Sequence, residues 1–566
     1  MTSIAAPRSP QLRALPERRP EVALSHVRLM LLMLLFIGAT AAVALRIGYL
    51  SVFADGSTNR AHLGGAARGD ILDRNGIPLA QTIDAWSIGV HPGRIIGDKR
   101  QLADALGRLM PERSADDYYR ILTSRLTFTY LRRRATPELV AAVNRLGEPG
   151  FDLGREPERI YPQGMLAAHV LGFTDFNGEG VSGMEKVLHR DLTGKLRGPG
   201  ATLSIDSRVQ QALEAELGTA MAKFSAIGAA GVVLDIKTGE VIALTSLPEL
   251  NPNKPAQQGA DAAFNRATLG VYELGSTFKP FTVAMALEEG VVKSFGQIYN
   301  CPRVLQAGRF SITDTHPFGR SCTVAEIMKE SSNIGTAQIA AQVGGVRQKE
   351  WLRRMHFLQR VSIELPERGR PLNPGANWGD IATMTVGYGH GIAVSPLHLA
   401  TGYATLFNGG YWRPATLLKH DSRNPVPQGE RVFSPETSYK MRALLRLVVT
   451  QGTGKKADAP GYRIGGKTGT ARKQVGATYA KNRYRALFVG MAPMSDPRLI
   501  VAVMIDDPAG KAFYGGTVAG PVFSGVTGGA LQMDRDDSDR CLPPASKLRK
   551  RHDESHFDDR GRCAGR

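Results

Sequence analysis

Pro280 constrains this chain strongly, because it dictates where one apolar helix must begin. Phe278 to Glu289 carry helical apolar spacing with no internal glycine. Proline has no N–H to donate and is tolerated only in a helix's first turn, so the spacing predicts a helix starting close to Ser276. Ser276 and Lys279, three residues apart, then share one face a turn apart. A serine hydroxyl is a poor nucleophile until a base takes its proton. An amine serves as that base once burial or a nearby cation has lowered its pKa. Gly275 lets the chain turn tightly into the helix, whose N-terminus favours negative charge at the serine oxygen. Alone, Ser-x-x-Lys is a weak signal, and its bland reading is an exposed helix start with a solvated lysine.

Two later stretches sharpen it. Ser331-Ser332-Asn333 and Lys467-Thr468-Gly469-Thr470 follow in that order. The ordered set of Ser-x-x-Lys, Ser-x-Asn and Lys-Thr-Gly marks penicillin-binding proteins and serine β-lactamases. On these motifs the chain resembles the penicillin-binding transpeptidases. Arg68-Gly69-Asp70-Ile71-Leu72-Asp73-Arg74-Asn75-Gly76, Arg159-Ile160-Tyr161-Pro162, His169-Val170-Leu171-Gly172 and Gly180 to Glu185 resemble the amino-terminal module of the class B members. Read without that likeness, the first of these is a hairpin with Asn75-Gly76 at its turn. Gly466 to Lys473 and Phe513-Tyr514-Gly515-Gly516 resemble the septal, FtsI-like branch. Leu274 departs from the proline common before Gly-Ser in the family.

The resemblance implies an α+β fold. A transpeptidase domain, with an antiparallel sheet flanked by helices and a helical subdomain, would stand on an elongated pedestal module with one transmembrane helix. The expected division is a cytoplasmic tail over 1–28, a membrane helix over 29–50, a pedestal or dimerisation module over 51–200, a transpeptidase domain over 201–530 and a disordered tail over 531–566. The tail is charged and poor in apolar residues. The span rests on the uncharged run Leu29 to Leu45, with Arg46 and Tyr49 as interfacial anchors. Arginines before it put the N-terminus in the cytoplasm and the catalytic domain in the periplasm of a bacterial inner membrane. A cleaved signal peptide, ending near Ala39-Thr40-Ala41, is the rival.

The resemblance also assigns roles. Ser276 is the nucleophile and Lys279 its base. Ser331 relays the proton to the leaving amine. Asn333 holds Lys279 and a substrate carbonyl. Lys467 supplies positive potential and, as a second cation, lowers the pKa of Lys279. Thr468 and Thr470 bind the substrate's terminal carboxylate, and Gly469 leaves room for substrate beside the strand. The N–H groups of Ser276 and Thr470 form the oxyanion hole. The implied reaction attacks a D-Ala-D-Ala stem peptide, releases D-alanine and passes the acyl group to a neighbouring amine. β-Lactams would be covalent inhibitors. No glycosyltransferase module is evident, so a separate membrane-embedded polymerase and divisome proteins are the implied partners. No cofactor or metal is expected.

Alternatives remain open at this level: an elongation-specific transpeptidase, a β-lactamase or β-lactam sensor, or a divisome scaffold. Gly461 to Thr468 also fits the P-loop pattern, but its polar, glycine-rich flanks suit neither the preceding strand nor the following helix. A net charge of +19 could mean nucleic acid, but no basic run interleaved with aromatics appears in the body of the chain; attraction to anionic membrane or cell-wall polymer fits better. Cys301 and Cys322 read equally as a disulfide or as two buried thiols. Cys541, His552, His556 and Cys563 match no standard metal spacing. His390 reads as a loop residue, since a catalytic histidine is at odds with a lysine base. Arg68 and Glu185 are candidates to pair, or two unrelated surface charges.

Overall fold

The computed structural model describes residues 29–43 and 68–539, except 176, 194–199, 258, 377, 476–477 and 511. Residues 29–43 are helical with their apolar side chains exposed. The rest of the expected span, residues 44–50, lies outside the described residues, as do the expected cytoplasmic tail and the cysteines and histidines beyond 539. Among the described residues no helix is long and apolar enough to cross a membrane.

By packing, the chain forms two compact units. One contains Ala85–Glu156 together with Met1–Gly65. Within it the helices Lys99–Leu109, Ala115–Leu122 and Pro137–Asn144 bury Leu106, Tyr118, Leu122 and Val143 around Ile88 and Val90. Their starts are capped as their sequences require: Asp98 accepts from the N–H of Arg100 and Gln101, and Ser114 forms a capping box with Asp117.

Ala66–Asp84 and Pro157–Arg566 form the second unit. Residues 66–84 and 157–200, although inside the expected pedestal range, therefore pack with the C-terminal part. Asn75-Gly76 does make the anticipated turn: Asp73 Oδ1 accepts from the N–H of Asn75 and Ile77, and Ile71 pairs with Ala80. Arg68 Nε bonds Glu185 Oε2 at 2.7 Å. Arg159, which no pairing argument anticipated, bonds the other oxygen at 2.7 Å. Glu185 is fully buried, so two guanidinium groups and one carboxylate share a site shielded from solvent.

The main elements of the second unit are α1 (Ser207–Lys223), β1 (Gly228–Asp235), β2 (Val241–Leu247), α2 (Lys279–Glu288), α3 (Val324–Lys329), α4 (Asn333–Val343), α5 (Pro396–Phe407), α6 (Pro435–Gln451), β3 (Gly465–Val475), β4 (Thr478–Ala492), β5 (Leu499–Asp506) and α7 (Gly515–Asp539). The sheet order is β3-β4-β5-β1-β2, antiparallel throughout. Alternate side chains enter opposite cores: Ala230, Val232, Met504 and Leu487 join one, while Ala229, Val233, Val503 and Phe488 join the other with α1 and α7. Both faces are covered, so β5 is buried along its whole length. That explains its unbroken apolar run, which on a half-exposed sheet would alternate. The turn Lys237-Thr238-Gly239 joins β1 to β2, held by Asp235 Oδ1 accepting from the N–H of Lys237 and Thr238. Helix α7 extends past the boundary expected at 531, with Leu531 buried against the sheet.

Replacing Glu185 by alanine removes the buried carboxylate that Arg68 and Arg159 share. Urea denaturation of Glu185→Ala should show a loss of about 3–5 kcal/mol.

Candidate active site

A 3-10 turn, Gly275–Phe278, leads directly into α2. Pro280 lies in the first turn of α2, where its missing N–H costs nothing. Beneath the turn, Phe278, Phe281, Phe357 and Tyr403 pack edge-on or tilted with centroids 5.1 to 5.3 Å apart. Tyr403 Oη donates to the Thr277 carbonyl at 2.8 Å, and Thr277 Oγ1 donates to the Leu274 carbonyl at 2.8 Å. The Gly275 N–H donates to the Gly389 carbonyl at 3.2 Å. A Cβ at Gly389 would lie 2.0 Å from the Gly275 carbonyl, so only glycine fits there. Ser276 is thus held half-buried on an anchored turn, and Lys279 is fully buried one turn later.

Ser331 lies between α3 and α4 with φ +62°, a left-handed conformation costly for a residue with a Cβ. It brings the lysines together. Lys279 Nζ donates to the Ser331 carbonyl and lies 3.1 Å from Ser331 Oγ. Lys467 Nζ, reaching from β3, lies 2.9 Å from the same Oγ. Two amines therefore converge on one hydroxyl. Burial pushes Lys279 well below the ordinary lysine value; the cation of Lys467 pushes the same way, and the carboxylate of Asp314 opposes both. Burial lowers Lys467 to about 7. Near neutral pH the site can hold an amine with a free lone pair, the requirement for a general base.

The Ser331-Ser332-Asn333 stretch is fixed by a residue the motifs did not reveal. Asp314 Oδ2 accepts from Ser332 Oγ at 2.6 Å, and its Oδ1 accepts from the N–H of Asn333 and Ile334 at 2.5 and 3.1 Å. It caps α4 from outside, beside the Ser332 side chain that accepts from the Gly335 N–H. An aspartate in a loop has no periodicity to mark it, so nothing in the sequence singled it out. Asp314 follows the hairpin of Val304–Ala307 and Phe310–Thr313. That hairpin lies between Cys301 and Cys322, which are disulfide-bonded across the paired strands Ile298–Cys301 and Arg320–Thr323.

Two expected contacts differ. Asn333 Nδ2 donates to the Thr313 carbonyl at 3.0 Å rather than to Lys279, because the hairpin brings that carbonyl over the start of α4. Gly469 is required by the Ser276 turn: a Cβ there would lie 2.8 Å from Thr277 Cγ2 and 2.9 Å from the Leu274 carbonyl. The two hydroxyls have partners. Thr468 Oγ1 lies 2.8 Å from Thr453 Oγ1, and Thr470 Oγ1 accepts from the Gly515 N–H at 3.0 Å. β3 is the sheet's edge strand, so part of its backbone faces away from β4. The position of a Cβ on Gly275 would be 3.4 Å from the Thr470 carbonyl, which puts the Ser276 turn against that edge. Residues Gly461 to Thr468 form no P-loop, since the chain continues from Lys467 as strand and not as helix.

Comparison with known proteins gives the same picture. Residues 229–527 match the penicillin binding protein transpeptidase domain, and residues 64–198 match the penicillin-binding protein dimerisation domain. The chain is similar to the probable peptidoglycan D,D-transpeptidase FtsI of Caulobacter vibrioides, 35% identical over 89% of this chain and 87% of that protein. It is 33% identical to the peptidoglycan D,D-transpeptidase FtsI of Escherichia coli, over 82% of this chain and 83% of the relative. Its fold is similar to the crystal structure of penicillin binding protein 3 from Mycobacterium tuberculosis complexed with aztreonam, with TM-score 0.66, 27% identity, and 84% and 97% of the two chains covered.

The lowered pKa of Lys467 has a stability consequence. Between about 7 and the ordinary value of 10.5 the unfolded chain binds a proton that the folded chain does not, so stability rises with pH across that window. Lys467→Met should flatten the rise by up to about 1.4 kcal/mol per pH unit, read from urea midpoints between pH 7.5 and 9.5.

Proposed function

The chain belongs to the penicillin-binding protein transpeptidase family, and from that premise we infer that it is a peptidoglycan D,D-transpeptidase working through an acyl-enzyme on Ser276. The observation that carries this reading is the convergence of two buried amines on Ser331, one of them Lys279, three residues after the serine at a helix start. Uncharged Lys279 takes the proton of Ser276 Oγ as that oxygen attacks the D-Ala-D-Ala carbonyl. The developing oxyanion sits between the N–H groups of Ser276 and Thr470. As the C–N bond breaks, the proton passes through Ser331 Oγ, which touches both amines, to the departing D-alanine nitrogen. Lys467 keeps the local potential positive, Thr468 and Thr470 meet the terminal carboxylate, and Asn333 meets a substrate carbonyl. An acceptor amine from a neighbouring stem peptide then takes the acyl group, restoring the serine. A β-lactam acylates the same oxygen; the aztreonam complex of a similar protein supports this.

We place the chain at the division septum, anchored in the inner membrane with its catalytic unit in the periplasm. The apolar run from Leu29, the arginines before it, and relatives named FtsI support that placement. The Cys301–Cys322 disulfide suits an oxidising compartment. A separate glycosyltransferase and divisome proteins complete the reading, and residues 51–200 serve as its pedestal.

Labelling the full chain with a fluorescent penicillin tests the assignment. Wild type should label and hold the label, Ser276→Ala should stay dark, and Lys279→Ala should label at least about 10³-fold more slowly. The rate should fall on the acid side only below the ordinary lysine range, because burial has lowered that pKa. A labelled Ser276→Ala protein would refute the nucleophile; rapid loss of label would point to a β-lactamase.

A further inference from the structure

Glu273 lies just before the nucleophile turn and belongs to none of the three motifs. Its side chain is only 11% exposed. Two separate parts of the chain donate to its carboxylate. The Gly391 N–H donates to Oε1 at 2.7 Å, Tyr479 Oη donates to Oε2 at 2.9 Å, and His390 Nδ1 lies 3.2 Å from Oε2. Aromatic contacts close the cluster: Tyr388 meets His390 edge-on at 5.4 Å, and His390 meets Tyr479 at 6.1 Å. Burial disfavours the ionised carboxyl, yet the bonds from His390 and Gly391 outweigh it and hold the group below the usual carboxylate value. A carboxylate so placed braces the two parts of the chain that meet at it.

The braced parts are the ones the chemistry needs in register. Tyr479 pairs with Gln474 near the far end of β3, the strand that carries Lys467 and Thr470. Gly391 and His390 follow Gly389, whose carbonyl holds Gly275. We infer that Glu273 is a positioning residue for acylation: it ties the Ser276 turn to the β3–β4 hairpin and to the loop at 388–391, and so sets the spacing between the two oxyanion donors. This rests on the acyl-enzyme reading above. Donors displaced by a fraction of an ångström still allow ligand to bind, but they no longer meet the charge that develops in the transition state. The signature is therefore a slower acylation step with initial binding preserved, whereas a merely structural carboxylate would lower the amount of folded protein alone.

Stopped-flow labelling of the full chain with a fluorescent penicillin separates the pre-acylation dissociation constant from the acylation rate constant. In Glu273→Ala the rate constant should fall about tenfold to a hundredfold, with the dissociation constant within about twofold. Tyr479→Phe should lose a smaller factor of the same kind, and adding it to Glu273→Ala should cost nothing further, because both remove one shared contact. Should Glu273→Ala fail to fold by thermal unfolding, Glu273→Gln and Tyr479→Phe decide: rate constants within about twofold of wild type in both would overturn the inference. Full additivity of the two losses would overturn it as well. Wild type and Ser276→Ala are run beside them. If Ser276→Ala labels, the nucleophile assignment has failed; if it stays dark while the Glu273 variants match wild type, only the brace has failed.

Discussion

Two buried amines share one half-buried hydroxyl, and neither can be charged without penalising the other. Removing an ammonium from water is expensive, and placing a second beside it adds repulsion at low dielectric. The fold escapes the penalty by lowering the pKa of both Lys279 and Lys467, which leaves a proton acceptor where a lysine would ordinarily be a cation. Each of the three groups comes from a different element. Lys279 starts α2 over an aromatic cluster, Lys467 projects from an edge strand, and Ser331 sits between two helices. The chemistry depends on a core that brings these elements close enough to exclude solvent.

Ser331 is the most constrained of the three. Its backbone is left-handed, a conformation that persists only when flanking contacts enforce it. Those contacts are visible on both sides. Thr323 and Glu326 form a capping box that starts α3 before it, and Ser332 and Asp314 cap α4 after it. The disulfide closes the loop that carries Asp314. Groups on either side thus determine where the Ser331 hydroxyl can stand, and the Asp314 carboxylate also opposes the lowering of Lys279.

Local signals in the sequence translated well. Pro280 located the start of α2, and Asn75-Gly76 located a turn. Each works over a few residues, through backbone restriction or short side-chain bonds. The contacts of Asn333 and Gly469 were less legible. Asn333 turns to a carbonyl on a hairpin that no pattern connects to it, and Gly469 is small because the Ser276 turn lies against it. Asp314 and Glu273 carried no signal, and the motif holding Arg159 named no partner for it, since a lone charge has the same appearance in sequence whether it braces a core or faces water.

The sequence by itself determined the reactive set and its order: a serine and lysine one helical turn apart, a second serine motif, and a lysine on a strand, together with the hairpins that frame them. Those properties follow from periodicity, backbone restriction and motif order, which are local and can be read along the chain. Tertiary structure alone decided that Lys279 and Lys467 meet at Ser331, that Arg68 and Arg159 share Glu185, and that Glu273 reaches Tyr479. Desolvation and charge coupling act through space, and the separations that govern them exist only once the chain has packed.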